Sequence, residues 1–518
     1  MQTALRSKLL VAALVVWMAV LLGLPCGCPR AQGGVEPRLS TAGALAAAAT
    51  PAIGLTYHWH TFYGVVDPLD QLELRGVAVD AAGNVYVAGC TPQTWGTPLH
   101  AYHGDRDVVI IKLNSLGVYQ WHTFYGAAAT SAEDGDDEAA GIAVDALGNI
   151  YVTGYSDRTW QGPGNIAPLS PHGGDNESMF ALKLDDDGAY QWHTFFQPGR
   201  ANAIAVDSLG GVVVTGYATW QVGGPEHTGD GTGQLTVWKL STQGAYQWHT
   251  YYGAGAGAGD EAGYGVATDA QGSVYVTGTA SSTWLGDGNA APLNAFSGGA
   301  PYTDMVVLKL DGSGAYQWHT FAGANGQDDA GSGIAWGGGG TYVTGRSPAT
   351  WGSPRHVHSG EADIVVLKLN GSGQRQWHTF YGSDANDFGT SVAVDAAGTT
   401  YVTGWSAWSW AGDGGASPTH PFSGAGQADI VVLKLDSSGA YQRHTFYGAS
   451  ETDDYGASVA LSTDYGVYAT GTSVATWQGD GSTSPIRAHS GNATGDGFVL
   501  KLSDRVHNVY LPLTVSKR

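Results

Sequence analysis

Gly141-Ile142-Ala143-Val144-Asp145 alternates in the manner of a strand, Ala146-Leu147-Gly148-Asn149 turns the chain, and Ile150-Tyr151-Val152-Thr153-Gly154 brings it back. β-branched and aromatic residues bounded by Asp, Asn and Gly favour strands joined by tight turns over helix. A long loop with Thr159-Trp160 follows, then Phe180-Ala181-Leu182-Lys183-Leu184 and a turn at Asp185-Asp186-Asp187-Gly188. The unit ends on Tyr190-Gln191-Trp192-His193-Thr194-Phe195. It reads as four antiparallel strands, A to D, with Gly closing each turn where positive φ is required.

The unit recurs at intervals of about 64 residues, the sign of a repeat architecture. Its D phrase, Trp-His-Thr-aromatic, starts at Trp59, Trp121, Trp192, Trp248, Trp318 and Trp377, and at Arg443 in the seventh copy. Strands A, B and C also recur seven times. The chain opens on a D phrase, Tyr57–Gly64, and its last C strand, Phe498–Leu502, has no D after it. Joining the two ends completes the last unit and removes two exposed sheet edges. The expected fold is all-β: a seven-bladed β-propeller of four-stranded antiparallel blades over 57–503, its ring closed by the N-terminal strand completing the last blade.

The phrase Ala-Val-Asp-x-x-Gly-Asn-Val-Tyr-Val-Thr-Gly is kept best at Ala78–Gly89, Ala143–Gly154 and Ala393–Gly404. It resembles the bacterial seven-bladed β-propeller repeat family, the SBBP repeats, over roughly the whole repeat region. A Val stands where Tyr is usual in the third copy, and Trp336-Gly337-Gly338-Gly339-Gly340 replaces the Asp turn in the fifth. The resemblance implies an exported repeat protein and no particular activity, because propellers serve many functions.

Composition agrees with short strands and tight turns. Of 518 residues, 79 are Gly, 11% are aromatic and only 13% are charged. The formal net charge of −22 argues against nucleic acid and anionic membrane surfaces, whose binding needs clustered Lys and Arg. It suits a soluble exported protein, or one that takes a cation or a basic partner.

Residues 1–33 read as a signal peptide. Arg6 and Lys8 precede an apolar run from Leu9 to Leu24, and Ala31-Gln32-Gly33 offers a small-residue cleavage site. The run is short for a spanning helix, so no transmembrane domain is expected after cleavage; an uncleaved anchor is the alternative. Cys26 and Cys28 fit a lipid-anchor motif poorly because of Pro25. Only Cys90 would remain, excluding an intramolecular disulfide. Residues 34–56 read as a linker and 504–518 as a short apolar tail, packed or attaching. The expected location is secreted or cell-surface, and the expected state a monomer.

In such a meander the short A–B and C–D turns share one face, while the long B–C loops and D–A connections share the other. Loops on a rigid frame commonly carry function. The D–A connections bring Asp136 and Asp137, Asp328 and Asp329, and Asp453 and Asp454, with further acids at Asp67, Asp70, Asp260, Glu261, Asp384 and Asp387. The third copy has Gln197-Pro198-Gly199-Arg200 instead. The B–C loops bring Trp95, Trp160, Trp220, Trp284, Trp351, Trp410 and Trp477, three followed by Asp287, Asp413 and Asp480.

Acids beside Trp rings suit a carbohydrate, through hydrogen bonds and stacking, or Ca²⁺, through oxygen ligation. Local Asp turns and aromatic packing are sufficient explanations of the same residues and the favoured ones. No spacing matches a known Ca²⁺ loop, no cofactor is implied, and the D-strand histidines of different blades lie too far apart to share a metal. No nucleophile elbow, zinc-protease or phosphate-loop motif is present, so no catalytic residue is assigned. The expectation is a non-enzymatic binding propeller whose partner is a glycan or surface protein. Its rival is an extracellular polysaccharide hydrolase or lyase using the same face.

Overall fold

The structure, a computed structural model, describes residues 55–65, 71–104, 106–128, 136–174, 177–219, 221–228, 233–254, 261–424, 426–491 and 494–504. The segment read as a signal peptide, nearly all of the one read as a linker and the tail from 505 onward lie outside these residues. No described helix is long and apolar enough to cross a membrane.

Strand β1 covers Thr56–Tyr63. One four-stranded sheet joins β2 (Glu73–Val79), β3 (Val85–Thr91), β4 (Asp107–Leu113) and β5 (Tyr119–Tyr125). A seven-stranded sheet follows: β6 (Asp137–Val144), β7 (Ile150–Ser156), β8 (Ser178–Leu184), β9 (Tyr190–Val206), β10 (Val212–Ala218), β11 (Gln234–Leu240) and β12 (Tyr246–Tyr252). Then come β13 (Ala262–Thr268), β14 (Val274–Ala280), β15 (Asp304–Leu310) and β16 (Tyr316–Ala322). The next sheet has β17 (Ala330–Gly337), β18 (Gly340–Ser347), β19 (Asp363–Asn370) and β20 (Arg375–Tyr381). It is followed by β21 (Asp387–Val394), β22 (Thr400–Ser406), β23 (Asp429–Leu435) and β24 (Tyr441–Tyr447). Finally β25 (Asp454–Leu461), β26 (Gly466–Ser473) and β27 (Asp496–Ser503) form a sheet with β1, in the order β1-β27-β26-β25.

All these pairings are antiparallel, and β1 pairs β27 with His60 opposite Leu500 and Phe62 opposite Phe498. The seven-stranded sheet exists because β9 runs unbroken for 17 residues. Its first half pairs β8 and its second half pairs β10, so one strand serves two neighbouring repeats. The cause is local: the connection reduced to Gln197-Pro198-Gly199-Arg200 leaves no loop in which the chain can break its extended path.

The first strands of the repeats pack side by side: β2 on β6, β6 on β9, β9 on β13, β13 on β17, β17 on β21, β21 on β25 and β25 on β2. The apolar core fills the gaps between consecutive sheets. One such layer unites Ile110 and Tyr125 with Ile142, Val152 and Phe180. Each aromatic or branched side chain so buried is worth about 1.5–3 kcal/mol. Polar ties cross the same gaps. Lys239 Nζ donates to Gly312 O at 3.0 Å, Lys368 Nζ to Ser437 O at 3.2 Å and Lys501 Nζ to Ser115 O at 2.9 Å.

Every first strand also carries a register shift. Between Leu74 and Gly76, for example, one residue is left out of the pairing with β3. Equivalent shifts occur in β6, β9, β13, β17, β21 and β25. A bulge of this kind re-aims the extra side chain.

Candidate functional site

The D-strand histidines and the loop tryptophans form one packing unit. Trp160 stacks on His193 at 3.9 Å, Trp284 on His319 at 3.8 Å, Trp351 on His378 at 4.1 Å, Trp410 on His444 at 3.8 Å and Trp477 on His60 at 3.8 Å. All five of these tryptophans are buried. Each ring therefore faces its own scaffold, where no sugar can lie against it. Trp95 stacks more loosely on His122 at 4.7 Å, is half-buried and lines a groove of ≈ 730 Å³ with Leu99, Trp121 and Ile486. Trp220 lies outside the described residues.

The histidine protonation state follows from its partners. His319 Nε2 meets the Trp284 carbonyl at 3.2 Å, and a carbonyl only accepts, so Nε2 carries the hydrogen. Nδ1 then accepts from the Tyr316 hydroxyl at 2.8 Å. The same pair of bonds holds His60, His193 and His444. Burial pushes these four imidazoles down to about 4, so they are neutral structural groups.

The acids divide into two sets. Asp137, Asp329 and Asp454 are buried, and each accepts a backbone N–H from the connection ahead of it: Ala127 at 2.7 Å, Ala324 at 2.8 Å and Ala449 at 2.7 Å. Each faces a second buried acid that opens a C strand of the neighbouring repeat, Asp107, Asp304 and Asp429 respectively; Asp387 and Asp363 make a fourth pair. A glycine separates the partners. At Gly382 a Cβ would lie 2.5 Å from Asp363 Oδ1 and 2.8 Å from Asp387 Oδ2, so only glycine fits. Burial, reinforced by the facing carboxylate, raises Asp363 and Asp454 to about 7 and Asp329 to about 6. These acids brace loops between repeats.

The outer acids are more open. Asp328 is exposed and accepts the Thr303 N–H at 3.1 Å, while Asp453 accepts that of Ala428 at 2.9 Å. Asp136 is exposed, and its backbone bridges to Arg106. Asp287, Asp413 and Asp480 open short 3₁₀ turns and accept the hydroxyls of Tyr252, Tyr381 and Tyr447 from the preceding repeat. The Trp-x-Gly-Asp-Gly motif thus ties one repeat to the next. Asp67, Asp70 and Asp260 lie outside the described residues. Among the described residues, no group of three or more His, Cys, Asp or Glu is arranged to hold a metal ion.

The feature missed in the sequence lies where the first strands meet. There a cavity of ≈ 620 Å³ is lined by residues from β2, β6, β9, β13, β17, β21 and β25. The bulged residues all reach it: Arg75, Ala140, Asn202, Tyr264, Ser332, Thr390 and Ala457. Beneath them runs an apolar girdle including Ile142, Ile204, Val266, Ile334, Val392 and Val459. The girdle repeats, but the bulged position changes chemistry from copy to copy. Aligning the residue ahead of Gly76-Val77-Ala78 with its counterparts would have exposed this column.

Two arginines line the cavity. Arg75 is neutralised, lying 2.7 Å from Glu73 and 2.5 Å from Glu138. Arg106 completes the quartet at 2.8 Å from Glu73 and 3.3 Å from Glu138, and its guanidinium also donates to Cys90 Sγ at 3.1 Å. Burial would raise the Glu73 carboxyl, but the two arginines hold it below its usual range. Burial pushes the Cys90 thiol up to about 12, so it is no nucleophile. Arg346 differs: it lies over the Phe388 ring at 4.9 Å and has no ion-pair partner among the described residues.

Residues 120–158 and 247–283 match the family model of the β-propeller repeat SBBP. These are SBBP repeats. No curated protein matches the chain. Among solved structures, a virginiamycin B lyase from Staphylococcus aureus with quinupristin is similar at 9% identity and TM-score 0.42, covering 85% of this chain and 98% of its own. The β-propeller domain of the Trilobed protease from Pyrococcus furiosus is similar at 6% identity and TM-score 0.40, covering 86% and 98%. The Dos1 propeller is similar at 9% identity and TM-score 0.38, covering 87% and 96%.

Proposed function

We propose that this SBBP-repeat chain is an exported, non-enzymatic binding propeller, secreted or at the cell surface, that takes its ligand in the axial cavity. The reading includes a ring of seven four-stranded blades closed by β1. Support for that ring comes from the β1–β27 pairing, the packing of β25 on β2 and the Lys501 bond to Ser115. Support for export comes from the charged and apolar pattern of residues 6–24.

One observation carries the binding reading. In a frame whose histidines, tryptophans and acids recur to build each copy, the bulged residues differ, and they converge on one concave space. A concave site lined by an apolar wall and a few convergent polar groups is what small-molecule recognition uses. Glycan or surface-protein contact at the loop rim would extend the same site. The polysaccharide-cleaving alternative needs two carboxylates facing the substrate, whereas the cavity lining contains no Asp or Glu.

A thermal-shift screen of the full chain against neutral and acidic saccharides, small organic anions and short peptides tests the proposal. A hit should raise the melting temperature with dose, and Tyr264→Ala should weaken it. A screen without hits, or hits indifferent to every bulged residue, would sink the proposal.

A further inference from the structure

We propose that the axial cavity is an anion site in which Arg346 anchors a carboxylate, phosphate or sulfate group of a small ligand with a planar or apolar body. The inference rests on the binding reading above and narrows its ligand class. Three observations support it.

First, the sign of the charge reverses locally. The chain carries 45 acidic and 23 basic residues, yet the cavity lining holds no acid, and of its two arginines one, Arg346, is left unbalanced. A concave, low-dielectric wall of one sign concentrates the field that draws in a counter-ion.

Second, the two arginines are in different states. Arg75 is balanced by Glu73 and Glu138, so its charge is used within the fold. Arg346 is half-buried and has neither a carboxylate nor a hydrogen-bond acceptor among the described residues. Its guanidinium is oriented by the Phe388 ring, which leaves the five N–H donors to a planar oxyanion. Partial burial of an unpaired charge is costly, and a bound anion would remove that cost.

Third, suitable neighbours stand on the same wall. Tyr264 is 43% exposed, and Ser332 and Thr279 line the cavity beside it. These hydroxyls can donate to the remaining oxygens, while Phe388 and the Ile334–Val392 part of the girdle take an apolar body. On the strand packed next to Tyr264, Asn202 is already committed, donating to Gly263 O at 2.8 Å.

The test is calorimetric titration of the full chain with glucuronate, glucose, benzoate, benzyl alcohol, inorganic phosphate and inorganic sulfate. Glucuronate or benzoate should bind and its neutral partner should not, with affinity falling as salt rises. Arg346→Gln should weaken binding roughly ten- to hundredfold, the scale of a lost charge-assisted hydrogen bond. The unfolding midpoint of that variant should match wild type, separating lost binding from lost fold.

If inorganic phosphate or sulfate binds as well as the organic acids, the anion site stands but the apolar body does not. If neutral ligands bind, depend on Tyr264 and ignore Arg346, the anion proposal fails while the binding reading survives. If nothing binds in the cavity, both fall.

Discussion

Two repeated sets of side chains, an outer and an inner ring in the proposed closed propeller, run through the repeats and obey opposite rules. In the outer ring each described D-strand histidine repeats the same setting: a Tyr hydroxyl on Nδ1 in all but the Arg375 copy, a loop carbonyl on Nε2 and a Trp ring on its face in all but one. In the inner ring the bulged residue is Arg, Ala, Asn, Tyr, Ser, Thr or Ala, and the backbone around it hardly changes. The difference teaches where selection for packing ends. Residues required by every copy build the copy, while residues free to differ at one geometric position are available for recognition.

The rings can be set against each other by substitution. Trp284→Ala should have the largest effect, removing a buried ring from between His319 and Phe321 at a cost of about 3–5 kcal/mol. Urea denaturation at neutral pH would show it as a lower midpoint with unchanged slope. An outer-ring truncation costing less than 1 kcal/mol would erase the distinction.

Glu138→Gln probes the inner-ring position that does serve the fold. It leaves Arg75 and Arg106 sharing Glu73, and should cost about 2 kcal/mol, less than a fully buried ion pair because the quartet is partly open to solvent. The same variant leaves one positive charge of the Arg75–Arg106 pair uncompensated, and new glucuronate affinity on that wall should be measurable by calorimetry. Lost stability without gained affinity would show that an unpaired arginine alone is not enough.

The rings also respond oppositely to pH through their neighbours. Outer-ring imidazoles lowered to about 4 bind fewer protons folded than unfolded, so their contribution grows as pH rises from about 4 to 6.5. Asp363, raised to about 7, binds more protons folded, so its contribution is full below about 4 and is lost as pH rises towards 7. Asp363→Asn can keep the Ser359 bonds and offer an N–H to Asp387, mimicking the protonated acid. Stability profiles should differ by on the order of 1 kcal/mol, the variant gaining relative to wild type between pH 4 and 7. A parallel pair of profiles would mean that Asp363 is ionised throughout.

Ser332→Ala should change stability least, within about 0.5 kcal/mol, because no packing or ladder bond depends on the hydroxyl. Its effect should appear only in ligand affinity. A destabilisation comparable to Glu138→Gln would place Ser332 in the frame and weaken the inner ring as a recognition surface.

Much of this frame was legible in the residues. Alternation at Gly141–Asp145, the Asp and Gly turns and the unmatched D phrase at Tyr57–Gly64 lead to four-stranded units and to the β1–β27 pairing. The loop Trp and Asp residues were recognisable as a set, but direction was not. Whether Trp284 faces solvent or His319 depends on a loop path that periodicity does not encode. Asp137 and Asp329 looked like surface acids because their partners, Asp107 and Asp304, are distant in sequence and belong to adjoining repeats. The bulge was hidden for another reason: one extra residue per A strand leaves the alternation on either side intact, so Arg75 and Tyr264 read as ordinary strand residues.

The pairing of β1 with β27 sets the order in which the chain can mature. Residues about 440 apart in sequence must meet before the last sheet is complete, the kind of distant closure that slows folding. A chain emerging N-terminus first holds β1 unpaired until β27 has been made, an apolar edge awaiting its partner. Until then that edge is a liability, open to any other strand. A helper that covers Trp59–Tyr63 until synthesis ends would speed maturation more than one acting at any internal repeat.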